Sequence, residues 1–275
     1  MRVKTNLQSI TAMRMLGNNG QDREKVLRQM SSGDRISQAA YDPSGLAISE
    51  TMRAQSRSMG QAVRNANDGT SLLQVAEGNL STIQAMSHRL KELAMQTATD
   101  TLSNTDRGFA DIEFQNLKDE MKRVVSNSEF NGRKLLTGDF DKYDLHVGIN
   151  NVEGFDKIAY KLKGVIDTAN SLGTGHLNVR SKIGAQQSIE NLNKLNENIS
   201  GGRAFLGATG NRLNSIVQNL GVSKENLDSS RSQIRDTEYA EATSRSVKSS
   251  ITSAASTAML SQANSVPQRV LKLLS

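Results

Sequence analysis

Residues 192–234 read LNKLNENISGGRAFLGATGNRLNSIVQNLGVSKENLDSSRSQI, with apolar side chains every seven positions: Leu192, Ile199, Leu206, Leu213, Leu220, Leu227 and Ile234. Leu195, Ile216 and Val217 sit between them, and Asn, Ser, Arg and Glu fill much of the rest. A sustained seven-residue repeat lays one apolar stripe along an α-helix, at a spacing suited to packing against other long helices. At ~1.5 Å per residue such a helix is about 65 Å long, so the rest of the chain must supply long helices beside it. Gly201, Gly202, Gly207, Gly210 and Gly221 lie inside the stretch, and each costs about 1 kcal/mol in a helix interior. Either packing offsets that cost or the helix begins nearer Ala204.

Upstream, the same period returns over about 44–99. Met52, Met59, Ala66, Leu73 and Leu80 repeat at seven, with Ala62, Ala76, Ile83 and Leu90 at the offset position. Tyr41-Asp42-Pro43-Ser44-Gly45 reads as the break before it, because proline biases its predecessor away from helix. Residues 100–105 form a polar break with capping residues. A third helix runs to about 128, carrying Ala110, Phe114, Leu117, Met121 and Val124. Phe130-Asn131-Gly132-Arg133 then carries a turn signal.

The period changes at 141–163. Tyr143, Leu145, Val147 and Ile149 alternate with polar residues or glycine, and Ile158, Tyr160 and Leu162 alternate with Ala159 and Lys161, which predicts a β-hairpin. Residues 164–182 are rich in Gly, Asn and Ser, with a short strand expected at Leu177 to Val179. The chain ends carry thinner patterns. Residues 1–40 show scattered helical spacing that Gly17-Asn18-Asn19-Gly20 is expected to interrupt. Residues 236–275 predict a last helix with Val247, Ile251, Ala254, Ala258, Met259 and Ala263 on one face. Such thin stripes order only against a partner, and the apolar run from Val270 to Leu274 calls for burial. The fold class is therefore mainly α: a long antiparallel helical bundle or coiled coil built from both chain halves, with a small β-hairpin insert.

Composition narrows the function. The chain of 275 residues has no Cys and no Trp, and its two prolines are Pro43 and Pro267, which leaves room for long helices. Disulfides and thiolate metal sites are excluded. No stretch approaches a membrane span, and the N-terminus lacks the apolar core of a cleaved signal peptide. The net charge of +6 is concentrated at the ends, with seven basic and three acidic residues in 1–40 and six and three in 231–275. Neither end has a dense basic run or interleaved aromatics, so solvated amphipathic helices are favoured over a nucleic-acid partner.

Catalytic and metal chemistry finds little support. The histidines are His88, His146 and His176; His88 and Glu92 are four apart, but no second histidine lies near to complete a metal pair. Gly207-Ala208-Thr209-Gly210, flanked by Arg203 and Arg212, resembles a nucleic-acid clamp loop, yet helical pattern surrounds it. Close helix packing at the glycines near 201–210 is the favoured reading. No phosphate-cradling loop and no nucleophile–base arrangement stands out. The chain is expected to be no enzyme and to need no cofactor and no metal. Weak helices at both ends flank strong heptad helices, and a non-closing contact between such chains generates a helical filament.

Several motifs carry a family resemblance. The run from Arg35 to Ile48, RISQAAYDPSGLAI, resembles bacterial flagellin, as do Arg64-Asn65-Ala66-Asn67-Asp68-Gly69, Ala76-Glu77-Gly78, Glu92-Leu93-Ala94 and Phe130-Asn131-Gly132-Arg133-Lys134-Leu135-Leu136. In the second half, Leu206-Gly207-Ala208, Asn211-Arg212-Leu213, Glu225-Asn226-Leu227 and the run QANSVPQRVL from Gln262 to Leu271 fit the same family. The likeness covers about 1–140 and 185–275. It departs at Gln233, where the family commonly has Arg, and at Met13-Arg14-Met15-Leu16-Gly17. Only about 45 residues separate the halves, so large outer domains are not expected.

The resemblance implies a structural subunit that self-assembles into the helical bacterial flagellar filament for motility. The alternative is a hook–filament junction protein or a non-filamentous coiled-coil scaffold. It implies residues 1–43 as an N-terminal helical segment of an inner tube, 44–140 as the N-terminal half of a helical core domain, 141–184 as the hairpin and loop insert, 185–235 as the C-terminal half of the core, and 236–275 as the C-terminal helix of the inner tube. Leu7, Ile10, Ile251, Val270, Leu271, Leu273 and Leu274 are the expected inner-tube assembly residues. Implied partners are further copies of the chain, an export chaperone, a type III-like export apparatus, and the filament cap and junction proteins, with an extracellular location reached without signal cleavage.

A second surface is expected on the bundle. Arg89 and Leu93 are four apart on the second helix, and in an antiparallel hairpin turning near residue 102 Glu113 lies nearly level with Arg89. On spacing alone this is a surface ion pair beside a packed leucine. The resemblance implies more: a subunit interface at Arg89, Leu93 and Glu113, and recognition of the unassembled chain there by Toll-like receptor 5.

Overall fold

The computed structural model describes residues 5–136, 143–152, 156–160 and 177–274; side chains of 143, 159, 160 and 267–274 are not part of that description. Five long helices dominate: α1 (Leu7–Ser32), α2 (Pro43–Thr97), α3 (Asn104–Asn127), α4 (Lys182–Arg235) and α5 (Tyr239–Leu274). Between α3 and α4 lie β1 (Glu129–Phe130), β2 (Arg133–Lys134), β3 (Tyr143–His146) and β4 (Lys157–Tyr160). The chain divides into two compact units, residues 57–224 and residues 1–56 with 225–275.

The central unit, 57–224, has a leucine-rich core. From α2 it draws Leu73, Leu80, Ile83 and Leu90, from α3 Phe114 and Met121, and from α4 Leu192, Leu195, Ile199, Leu206 and Leu213. The heptad of α4 is thus buried as its spacing requires through Leu213, and the helix begins at Lys182 rather than near Ala204. Burial of four consecutive stripe residues, at about 1.5–3 kcal/mol each, outweighs the glycine cost. Gly202 is buried, but a side chain at Gly201, Gly207 or Gly210 would meet nothing within 4 Å. Close packing at those three glycines is not found within the chain.

Polar contacts fix the directions of these helices. Gln84 bonds Ser200 and Arg203, and Lys182 bonds Asp100 at 2.7 Å, so α2 and α4 run antiparallel. Arg107, buried near the start of α3, donates to the carbonyls of Thr97 and Thr99 and so satisfies the end of α2. Ser103 and Asp106 form a reciprocal capping box that starts α3 where the polar break predicts it.

The turn signal at Asn131-Gly132 produces a small hairpin, β1–β2, with both residues at positive φ (50° and 75°). The expected hairpin at 141–163 is present as antiparallel β3–β4, pairing Tyr143 with Tyr160 and Leu145 with Ile158. Val147 and Ile158 join the core, and the Asn65 side chain donates to the His146 carbonyl. Leu177 to Val179 is not a strand. Its polar backbone is taken by α3 side chains instead: Gln115 donates to the Leu177 carbonyl and Asp111 accepts from the Val179 amide. The loop reading for 164–176 lies outside the described residues.

In the terminal unit, α1 and α5 run antiparallel in one register. Asn6 donates to the Ala263 carbonyl, Asn19 to that of Ser249, and Tyr239 to that of Met30. The expected interruption at Gly17-Asn18-Asn19-Gly20 does not occur, and α1 is continuous. Asn19 is a pairing residue: Ser249 donates back to its side chain at 2.9 Å. The face of α5 turned to α1 also differs from the expected one. It carries Ala242, Ser249, Ser256 and Ala263, a heptad of small residues, whereas Val247, Ile251 and Met259 are exposed.

Candidate assembly surfaces

An ordinary amphipathic helix pair turns its large apolar groups inward. Here α5 buries small residues, Ala242, Ser249 and Ala263, α1 buries Val26 and Gln29, and most large apolar groups of both helices face out. Leu7 is 67% exposed, Ile10 55% and Ile251 66%, with Met13, Met15, Leu27 and Val247 similarly open. Three of the expected inner-tube residues, Leu7, Ile10 and Ile251, therefore lie on the outside of the helix pair. Val270, Leu271, Leu273 and Leu274 belong to the last turns of α5, and their side chains lie outside the described residues. An apolar groove of about 570 Å³ runs between the two helices, lined by Leu7, Ala12, Met15, Ala255, Met259 and Val266 among others.

At the other end of this pair the chain reverses through a tightly bonded corner that spacing did not reveal. Gly33, at φ 75°, caps α1 by donating to the Gln29 carbonyl. Segments 33–35 and 235–237 then run antiparallel: the Arg35 amide donates to the Arg235 carbonyl at 2.7 Å and the Thr237 amide to the Gly33 carbonyl at 2.8 Å. The Arg235 side chain, 17% exposed, bridges Asp34 at 3.1 Å and Glu50. The hydrogen bonds it donates to Asp34 and then to Glu50 hold its guanidinium above its ordinary pKa. The three residues lie 201 and 185 positions apart, so no local pattern announces the cluster.

On the central unit, the Arg89 guanidinium meets Glu113 at 2.8 Å and Glu92 at 3.1 Å. These bonds, Glu113 first, raise the Arg89 pKa above its ordinary value. The structure thus brings together Arg89 and Glu113 as the hairpin register predicts. Leu93, by contrast, is 3% exposed and belongs to the core. It is no part of the exposed surface. Phe109 and Ile112 of α3, just before Glu113 in sequence, are both exposed. Among the described residues, no three or more of His, Cys, Asp and Glu gather as metal ligands, and no helix is long and apolar enough to cross a membrane.

One unit satisfied by its own core, joined in sequence to a helix pair wearing its apolar groups outside, defines a helical structural subunit built to polymerise. Comparison with known proteins identifies which. Residues 3–141 match the bacterial flagellin N-terminal helical region and residues 187–274 its C-terminal helical region. A flagellin of Halalkalibacterium halodurans is 38% identical over the whole of both chains, and the flagellin of Bacillus subtilis 34% over the whole of both. Flagellin FlaB2 of Treponema pallidum is 33% identical, again over both full lengths. Among solved structures, Bacillus cereus flagellin matches at 30% identity and TM-score 0.50, over 57% of this chain and 88% of that one. The chain belongs to the bacterial flagellin family. It is a subunit that self-assembles into the flagellar filament and serves motility, and the junction-protein and scaffold alternatives are not favoured.

Proposed function

We propose that polymerisation is driven by the terminal helix pair, with α1 and α5 as the inner-tube segments and the central unit as the outer layer. One observation carries this: Leu7, Ile10 and Ile251 face outward from a pair in which α5 buries small residues. Apolar area left in water by the single chain is recovered when copies pack, at about 25 cal/mol per Å². On this reading Val270, Leu271, Leu273 and Leu274 are buried by neighbouring copies, and the domain boundaries fall near 43, 140, 184 and 235. Removing residues 250–275 tests it. The central unit keeps its helical circular dichroism and cooperative melt, and electron microscopy finds no filaments. Normal filaments from the truncated chain overturn the proposal.

The remaining partners follow from family membership. The chain leaves the cell through a type III-like export apparatus without signal cleavage, escorted by a chaperone that holds the apolar terminal region. It is added beneath a cap protein, starting from junction proteins, and works outside the cell as a non-enzymatic structural element. The ion-paired surface of Arg89 and Glu113 serves as a subunit contact, and Toll-like receptor 5 recognises it on the unassembled chain. Glu113→Ala should then weaken receptor activation by unassembled protein; unchanged activation removes that receptor from the list.

A further inference from the structure

Met13-Arg14-Met15 is an exposed run of α1, and the structure gives Met15 a setting. Met15 of α1 and Met259 of α5 line the same apolar groove from opposite helices. They are 59% and 66% exposed, whereas Met121 in the central core is 3% exposed. We propose that Met15 and Met259 form an oxidation site through which peroxide controls polymerisation; this rests on the assembly role of the terminal helix pair.

The chemistry is balanced by the oxidant alone. A sulfur lone pair of the thioether attacks one oxygen of hydrogen peroxide, the O–O bond breaks, and the displaced oxygen leaves as water after proton transfer. Sulfur is oxidised by two electrons and peroxide is reduced by two. The product sulfoxide replaces a soft apolar group with a polar, chiral one. In the single chain this costs little, because both sulfurs already face water. In the polymer the same groups must enter an apolar contact, where an unpartnered S=O dipole is penalised. Oxidation therefore acts on association and leaves the fold of the chain alone. The access pattern gives it direction: subunits are vulnerable before they assemble and protected afterwards.

Full-length unassembled protein is treated with hydrogen peroxide until peptide mass mapping shows sulfoxide at Met15 and Met259. The critical concentration for polymerisation should rise about tenfold or more, with the circular dichroism melt unchanged, and methionine sulfoxide reductases should restore it. The double variant Met15→Leu/Met259→Leu, close in volume and inert to peroxide, should polymerise equally before and after treatment. A second readout needs no variant: in a partly oxidised sample, the pelleted polymer should be depleted in sulfoxide at positions 15 and 259 relative to 95. Unchanged assembly of the oxidised chain, equal loss in the double variant, or even partitioning of the sulfoxides overturns the inference. Failure of untreated protein to polymerise would instead sink the assembly reading beneath it.

Discussion

The two units use the same secondary structure with opposite polarity. In the central unit, Leu192, Leu195 and Ile199 of α4 are fully buried, and ion pairs such as Arg89–Glu113 share the surface with exposed Phe109, Ile112 and Ile183. In the terminal unit, Ala242, Ser249 and Ala263 are buried and Ile251 and Met259 are exposed. Helix alone therefore says nothing of where stability comes from; the size of the residues in the seam does. A leucine seam yields a unit that stands by itself. A seam of alanine and serine yields a pair that closes but gains little, and holds its apolar area for a later partner.

Paired substitutions should expose the difference. Leu195→Ala removes a fully buried side chain and should destabilise the central unit by about 2–5 kcal/mol, read as a lower denaturant midpoint of unassembled protein. Ile251→Ala should leave that midpoint within about 0.5 kcal/mol yet abolish or sharply reduce filament formation. If Ile251→Ala unfolds the single chain as Leu195→Ala does, the contrast between the units is false.

The corner at Arg235 offers a smaller effect confined to the terminal unit. Arg235→Ala removes the cation shared by Asp34 and Glu50, of which Glu50 keeps Arg53 at 2.9 Å, and should cost about 1 kcal/mol. Hydrogen exchange should quicken in 29–37 and 232–242 and stay unchanged in the central unit. Equal exchange rates in the variant and the parent chain would show that the backbone bonds between 33–35 and 235–237 hold the corner unaided.

How far the fold could be read from residues follows from the same contrast. The heptads of α2 and α4 were legible because large apolar residues at fixed spacing report burial directly. The hairpin β3–β4 and the capping box at Ser103 were legible because their signals are local. The continuity of α1 across Gly17 and Gly20 was not, because it rests on Asn19 meeting Ser249, 230 positions away. The seam of α5 is not legible for a related reason: its spacing is carried by small residues, and of the face marked by Val247, Ile251, Ala254, Ala258, Met259 and Ala263 only Ala263 is buried. Of the patch on the central unit, the Arg89–Glu113 pair followed from hairpin register. The burial of Leu93 agrees with the spacing-only reading of a packed leucine beside a surface ion pair.

The smallest expected effect separates contacts within the chain from contacts between copies. Gly207 lies in the middle of α4, is exposed, and has nothing within 4 Å of where a side chain would begin. An alanine there meets no obstacle in the single chain and restricts the unfolded state, so Gly207→Ala should stabilise unassembled protein by about 0.4–1 kcal/mol. With no side chain and open space around it, Gly207 leaves room for the backbone of another copy to approach. Gly207→Leu should therefore leave the single-chain melt at or above that of the parent while impairing filament growth. If both substitutions raise the melting temperature and filaments form at the original critical concentration, the glycines of α4 face solvent in the polymer too, and close approach of copies along this helix is refuted.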